Sequence, residues 1–109
     1  ETENMIDVAE IEKMRDGVLL INVSRGGIMN EEAIANALRS GKVGGVAVDV
    51  MREEPPKEDN PLLAEDLGNL IITPHTAWGS EESLKALCAI LEENIERFVA
   101  GNPQNVVTL

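Results

Sequence analysis

One cysteine, Cys88, stands in 109 residues. No internal disulfide can form and no cysteine cluster can hold a metal, so neither a stapled secreted scaffold nor a thiolate metal centre is available. No metal site is expected. Cys88 falls in the apolar stripe of the last predicted helix, which predicts a small buried thiol. Cations are also scarce: 9 Lys plus Arg face 20 Asp plus Glu, for a formal charge of −11. Such a surface repels phosphate backbones and anionic headgroups, so no nucleic acid and no membrane is expected as a partner. The charge excess itself reads as solubility. No apolar run is long enough to span a bilayer, and Glu1-Thr2-Glu3-Asn4 has no leader character. A cytoplasmic domain is expected. The 43% hydrophobic content suffices for one core in a chain of this length.

The organising stretch is Val18–Leu38. Val18-Leu19-Leu20-Ile21-Asn22-Val23 is apolar and rich in β-branched residues, which predicts a strand buried on both faces. The run breaks at Ser24-Arg25-Gly26-Gly27, and a helix pattern starts after Asn30. Arg25 therefore sits on a turn past the carboxyl end of a strand, the edge at which ligands bind in an open parallel sheet. A rigid guanidinium fork there suits a carboxylate or phosphate. The bland alternative is an arginine that caps its turn or pairs with a nearby acid.

Before this stretch, Asp7 can cap a short helix to about Met14, with Glu10 as its capping-box partner and Ile6 as a hydrophobic staple. Asp16-Gly17 turns the chain into the strand. The second helix has Asn30 at its N-cap, Glu31 and Glu32 in its first turn, and Ile34, Ala37 and Leu38 inward. Gly41 takes its left-handed cap. Gly44–Val50 predicts a second strand, whose small residues suggest close approach to a neighbouring helix or cofactor. A polar loop runs from Arg52-Glu53-Glu54-Pro55-Pro56 to Asn60-Pro61. Asn69–Thr73 predicts a third strand, closed by Pro74 and followed by His75. Gly79 or Ser80 caps a last helix with Leu84, Leu87, Cys88, Leu91, Ile95 and Phe98 on one face. Gly101 and Pro103 stop it, and the tail from Asn105 to Leu109 can form a short edge strand or an extended segment. Alternation of this kind predicts an α/β fold, a three-stranded parallel sheet with flanking helices.

Parallel strands put their carboxyl ends on one side. Arg25, Asp49 with Glu54, and His75 each follow such an end, so a cation, carboxylates and an imidazole are expected to converge in one cleft. Arg can hold a substrate carboxylate, and His can move a proton near neutral pH. A carboxylate beside the ring orients it and favours its charged form. Singly, each has a plainer reading: His75 bonding a backbone carbonyl, Glu54 as solvated surface, Asp49 capping backbone amides. One motif is missing. Gly26-Gly27 and Gly44-Gly45 are pairs without G-x-G-x-x-G spacing, so no complete dinucleotide site can be built from this chain alone.

Three segments carry a resemblance: Leu20–Gly27, then Gly45–Val50 with Glu54-Pro55-Pro56, then Thr73-Pro74-His75-Thr76-Ala77-Trp78. Together they are similar to the signatures of the D-isomer-specific 2-hydroxyacid dehydrogenases, and Thr2–Ile6 and Gly101–Val107 match as well. The resemblance implies the second half of a Rossmann-like NAD-binding domain across residues 1–109, with residues 80–109 leading back towards a substrate domain. It implies hydride transfer between NAD or NADP and a small 2-keto or 2-hydroxy acid of D configuration, in a longer enzyme that forms a homodimer. By resemblance Arg25 binds the substrate, His75 is the acid/base, and Glu54 pairs with it. Asp49 contacts the nicotinamide end, and Val23, Ser24, Arg25, His75, Ala77 and Gly79 fall where the family lines the cofactor. Trp78 after the histidine resembles the glyoxylate, hydroxypyruvate and glycerate members. Two alternatives stay open. One is a non-catalytic, corepressor-like regulatory member of the same fold. The other is an isolated piece without activity, and no useful turnover is expected from these residues alone.

Overall fold

The computed structural model describes residues 2–108. They form two compact units, divided between Thr76 and Ala77.

In the first unit, α1 (Val8–Lys13) starts at Asp7. Its carboxylate accepts from the N3 amide, while Glu10 accepts from the Asp7 amide, completing the capping box. β1 (Val18–Asn22) follows, then α2 (Glu31–Ser40). The Asn30 side chain accepts from the amides of Glu32 and Ala33 at the start of α2, and Gly41 closes it at φ 75°. β2 (Val43–Val48) leads through the polar loop to a 3-10 turn at Pro61–Leu63, which Asn60 caps, and β3 (Leu70–Ile72) completes the sheet. The three strands are parallel in the order β1-β2-β3, with Asn22 opposite Val48 and Val48 opposite Ile72. Their carboxyl ends therefore share one edge.

The core lies between α2 and one sheet face: Ile34, Ala33 and Ala37 pack with Val43, Val46, Val48, Met51 and Leu62. The opposite face is bare within this unit, which corrects the expectation for β1. Leu19 and Ile21 are 72% and 73% exposed, and Ile71 of β3 is 64% exposed. Apolar composition marks a strand as able to be covered on both sides, but in this unit α2 covers only one. At Gly44 the close approach is to backbone: a Cβ there would stand 2.6 Å from the carbonyl oxygen of Gly17, so the neighbour that crowds it is the turn before β1 and not a helix.

The second unit is α3 (Glu81–Val99) with its tail. Ser80 caps α3 by accepting from Ser83 N–H, and Glu81 and Glu82 occupy its first turn. No residue of α3 is buried, and Cys88 is exposed rather than buried as expected. A lone helix has no facing layer inside its own unit to bury its apolar stripe against. The tail forms no strand among the described residues. Instead the Asn105 side chain donates to Asn94 of α3 at 3.0 Å.

Candidate active site

Three segments end on the carboxyl edge of the first unit, and each is fixed by a short polar residue. Past β1, buried Asn22 organises the turn. Its amide donates to the Arg25 carbonyl at 2.9 Å, and its oxygen accepts from Ser24 N–H at 3.1 Å. Val23, Ser24 and Arg25 are all exposed on that turn, and the Arg25 guanidinium donates back to the Ser24 carbonyl at 2.8 Å.

Past β2, Asp49 is 4% exposed. A buried carboxylate needs strong partners, and one oxygen of Asp49 accepts from the Thr73 hydroxyl at 2.5 Å and the Thr76 amide at 2.8 Å. Both partners flank His75 in the segment after β3. Asp49 thus closes the turn Thr73-Pro74-His75-Thr76 across two strand ends. His75 sits at φ 55°, a left-handed conformation unusual for a residue with a Cβ, and its amide donates to the Thr73 carbonyl at 3.0 Å. Strain of this kind persists where surrounding contacts over-determine it. Here the two Asp49 bonds do so.

The loop after β2 brings Glu54 to the ring. Glu54 Oε2 lies 2.8 Å from His75 Nδ1, and Oε1 accepts from Met51 N–H at 2.8 Å. The Glu54–Pro55 peptide is cis. The Met51 amide first, and then the His75 ring, hold the Glu54 carboxyl below its ordinary range. An ionised carboxylate only accepts, so Nδ1 carries the proton of this bond. Proton exchange with a reacting group then falls to Nε2.

Stability from the charged form of Glu54 is present above the ordinary carboxylate value and is lost as pH falls through the lowered one. The urea midpoint of Glu54→Gln is therefore expected below wild type at neutral pH, with the gap closing in strong acid. A gap independent of pH counts against a charge-based role.

Asp49, Glu54, Thr73 and His75 line one cleft of about 360 Å³, walled by Met51, Pro55, Pro56, Ile72 and Pro74. Apolar walls with a few convergent polar groups are the usual make-up of a small-molecule site. Arg25 departs from the expectation of a single cleft. It lines a separate shallow recess of about 330 Å³ with Glu3, Gly26 and Arg52. β2 lies between β1 and β3, which precede Arg25 and His75, so the two strand ends are two interstrand spacings, about 10 Å, apart. Ala77 and Gly79 are exposed residues of the second unit. Sequence reasoning missed Asn22, Thr73 and Thr76. Only Asn22 carried a signal, as the one polar residue inside an apolar strand run.

The family model for the NAD binding domain of the D-isomer specific 2-hydroxyacid dehydrogenases matches residues 1–77. The chain is similar to the glycerate dehydrogenase of Methylorubrum extorquens, at 49% identity over 98% of this chain and 34% of that protein. It is 47% identical to the hydroxypyruvate reductase of Blautia hydrogenotrophica, over 98% of this chain and 33% of that protein. Among solved structures, it resembles a D-isomer specific 2-hydroxyacid dehydrogenase from Xanthobacter autotrophicus in complex with NADPH and MES. The TM-score is 0.78 at 33% identity, covering 95% of this chain and 41% of that one. The chain spans about a third of the length of these two curated relatives.

Proposed function

The chain belongs to the D-isomer specific 2-hydroxyacid dehydrogenase family, and from that premise we propose that it is the carboxyl-terminal part of the NAD(P)-binding domain of a longer 2-hydroxyacid dehydrogenase. The proposed reaction is reversible hydride transfer between NAD(P)H and a small 2-keto acid, giving a 2-hydroxy acid of D configuration. The observation that carries the reading is the 2.8 Å pair between His75 Nδ1 and Glu54 in a mostly apolar cleft at the carboxyl edge of a parallel sheet.

The residues present fit the nicotinamide half of such a cofactor. Met51, Pro55, Ile72 and Pro74 offer apolar surface to a flat ring beside Asp49, and Val23 and Ser24, exposed on the turn past β1, are further proposed contacts of the first unit. When bound, the nicotinamide supplies or takes the hydride. In the reducing direction, His75 Nε2 gives its proton to the keto oxygen and recovers it from the hydroxyl in the reverse direction. Glu54 holds the ring in the tautomer and direction this requires. Family likeness, rather than a shared cleft, assigns the substrate carboxylate to Arg25, whose donor fork is a bidentate match for it. Family likeness alone carries two further parts of the proposal, a homodimer and a cytoplasmic setting.

The test is an assay of the longer protein with glyoxylate or hydroxypyruvate and NAD(P)H. Oxidation of the reduced cofactor that depends on the keto acid is the expected result. Binding of NADH without reduction of either compound would favour the regulatory alternative instead. The 109-residue chain alone is expected to show no turnover.

A further inference from the structure

We infer that Glu31, at the start of α2, is a positioning residue for the Glu54–His75 pair; the inference rests on the function proposed above. Glu31 reads from sequence as an acid that suits the first turn of a helix. The structure gives it a second use. Its Oε1 accepts from the Arg52 amide at 2.7 Å, and its Oε2 accepts from the Asn60 side-chain amide at 2.7 Å. Arg52 and Asn60 lie near the two ends of the loop that leaves β2 and enters the 3-10 turn at Pro61–Leu63. Glu54 lies between them.

The loop has no ladder hydrogen bonds of its own, since residues 51–60 contain no strand or helix. One backbone bond, from the Asn60 amide to the Lys57 carbonyl at 3.0 Å, closes a local turn near its end, and the rest of its shape relies on side-chain ties. Glu54 itself cannot be the anchor, because one of its oxygens is engaged within the loop by Met51 and the other by the His75 ring. The surface ion pair between Arg52 and Glu3 is exposed on both sides and holds only one end. Glu31 instead ties both ends to a helix whose neighbouring residues, Ala33, Ile34 and Ala35, are buried in the core. Asn60 cannot replace the lost partner by turning over, because its oxygen is already used to accept from Leu62 N–H at 2.9 Å. One carboxylate with two acceptor atoms is thus the element that sets the loop opening, and with it the reach from Glu54 to Nδ1.

His75 is the only histidine of the chain, so its ring nitrogens can be read without overlap. ¹⁵N NMR of the chain is expected to show the proton on Nδ1 in the wild type. In Glu31→Ala the Nδ1–H form should lose population to Nε2–H, and in the longer enzyme kcat should fall about ten- to a hundredfold with little change in KM for NADH, as misplacement of a catalytic group by about 1 Å does. Glu31→Gln keeps one oxygen acceptor but not two, so both readouts should fall between wild type and Glu31→Ala. Glu32→Ala removes an acid from the same helix turn without touching the loop, and is expected to leave the ring signals unchanged. A folded Glu31→Ala chain with wild-type ring signals would overturn the inference, as would a Glu32→Ala chain that shifts them equally. If Glu31→Ala does not fold, Glu31→Gln decides by the same signals. If the longer enzyme reduces no keto acid, the proposed function fails, and the ring signals alone then decide whether Glu31 sets the pair.

Discussion

Replacing His75 by alanine is expected to lower kcat of the longer enzyme by about 10²–10⁴-fold, the usual contribution of a positioned acid/base, while NADH affinity stays close to wild type. The split follows from what the side chain touches. Its ring meets Glu54 at 2.8 Å, and the cleft walls around it are Met51, Pro55, Pro56, Ile72 and Pro74. Removing the imidazole takes away the proton donor but leaves those walls in place. The backbone consequence is small, because alanine carries the same Cβ at φ 55° and the Asp49 bonds to Thr73 and Thr76 that hold the turn remain. A second variant separates the two functions of the turn. Thr73→Val keeps the imidazole but removes the hydroxyl donor to Asp49, leaving a buried carboxylate short of a partner. It should lower both stability and turnover, whereas His75→Ala should lower turnover far more than stability. Steady-state kinetics with hydroxypyruvate and fluorescence titration of NADH check both. Turnover of His75→Ala within a few-fold of wild type would remove the acid/base assignment.

How much of this was legible in the sequence depended on whether the deciding contacts were local. The caps at Asp7, Asn30, Gly41 and Ser80 are short-range devices, and each is found where the residue pattern puts it. The parallel order followed from strands alternating with helices, and it puts Asp49 and His75 on one edge. What escaped were relations between segments. Apolar β1 looked buried on both faces because composition reports what a strand tolerates, not what covers it. The Gly44 contact with Gly17 is a meeting of two backbones, and nothing in either residue's neighbourhood announces it. Thr73 and Thr76 look like ordinary turn residues until Asp49, more than twenty positions away in sequence, is seen to bond both. Arg25 was correctly placed past a strand end, but it lines a different recess from His75, because a shared edge does not fix which way each turn folds.

Gly26→Ala is expected to be the most destabilising single-methyl change in the chain. A Cβ at this position would stand 1.8 Å from the carbonyl oxygen of Met51, 2.2 Å from its carbon and 2.7 Å from the Arg52 nitrogen. All three are backbone atoms, so no rotamer change relieves the clash. Nor is that backbone free to retreat, since the Met51 amide is held by Glu54 and the Arg52 amide by Glu31. Overpacking a well-filled site costs about 1–3 kcal/mol and sometimes more, and a clash against tethered backbone belongs at the upper end. Against a total of about 5–15 kcal/mol, that is a large fraction. It corresponds to a fall in Tm of roughly 10–20 °C for a domain of this size. Two neighbours calibrate the claim. Gly27 has open space around it but φ 79°, so alanine there meets backbone strain without a clash, and a smaller loss is expected, about 1 kcal/mol. Gly68 has neither a close neighbour nor a positive φ, and alanine should be neutral. Thermal unfolding followed by circular dichroism should rank the three Gly26, Gly27, Gly68 in decreasing cost. A Gly26→Ala protein melting within about 2 °C of wild type, under 1 kcal/mol, would mean that the Met51–Arg52 backbone yields freely. The loop would then be too loose to hold Glu54 against the ring.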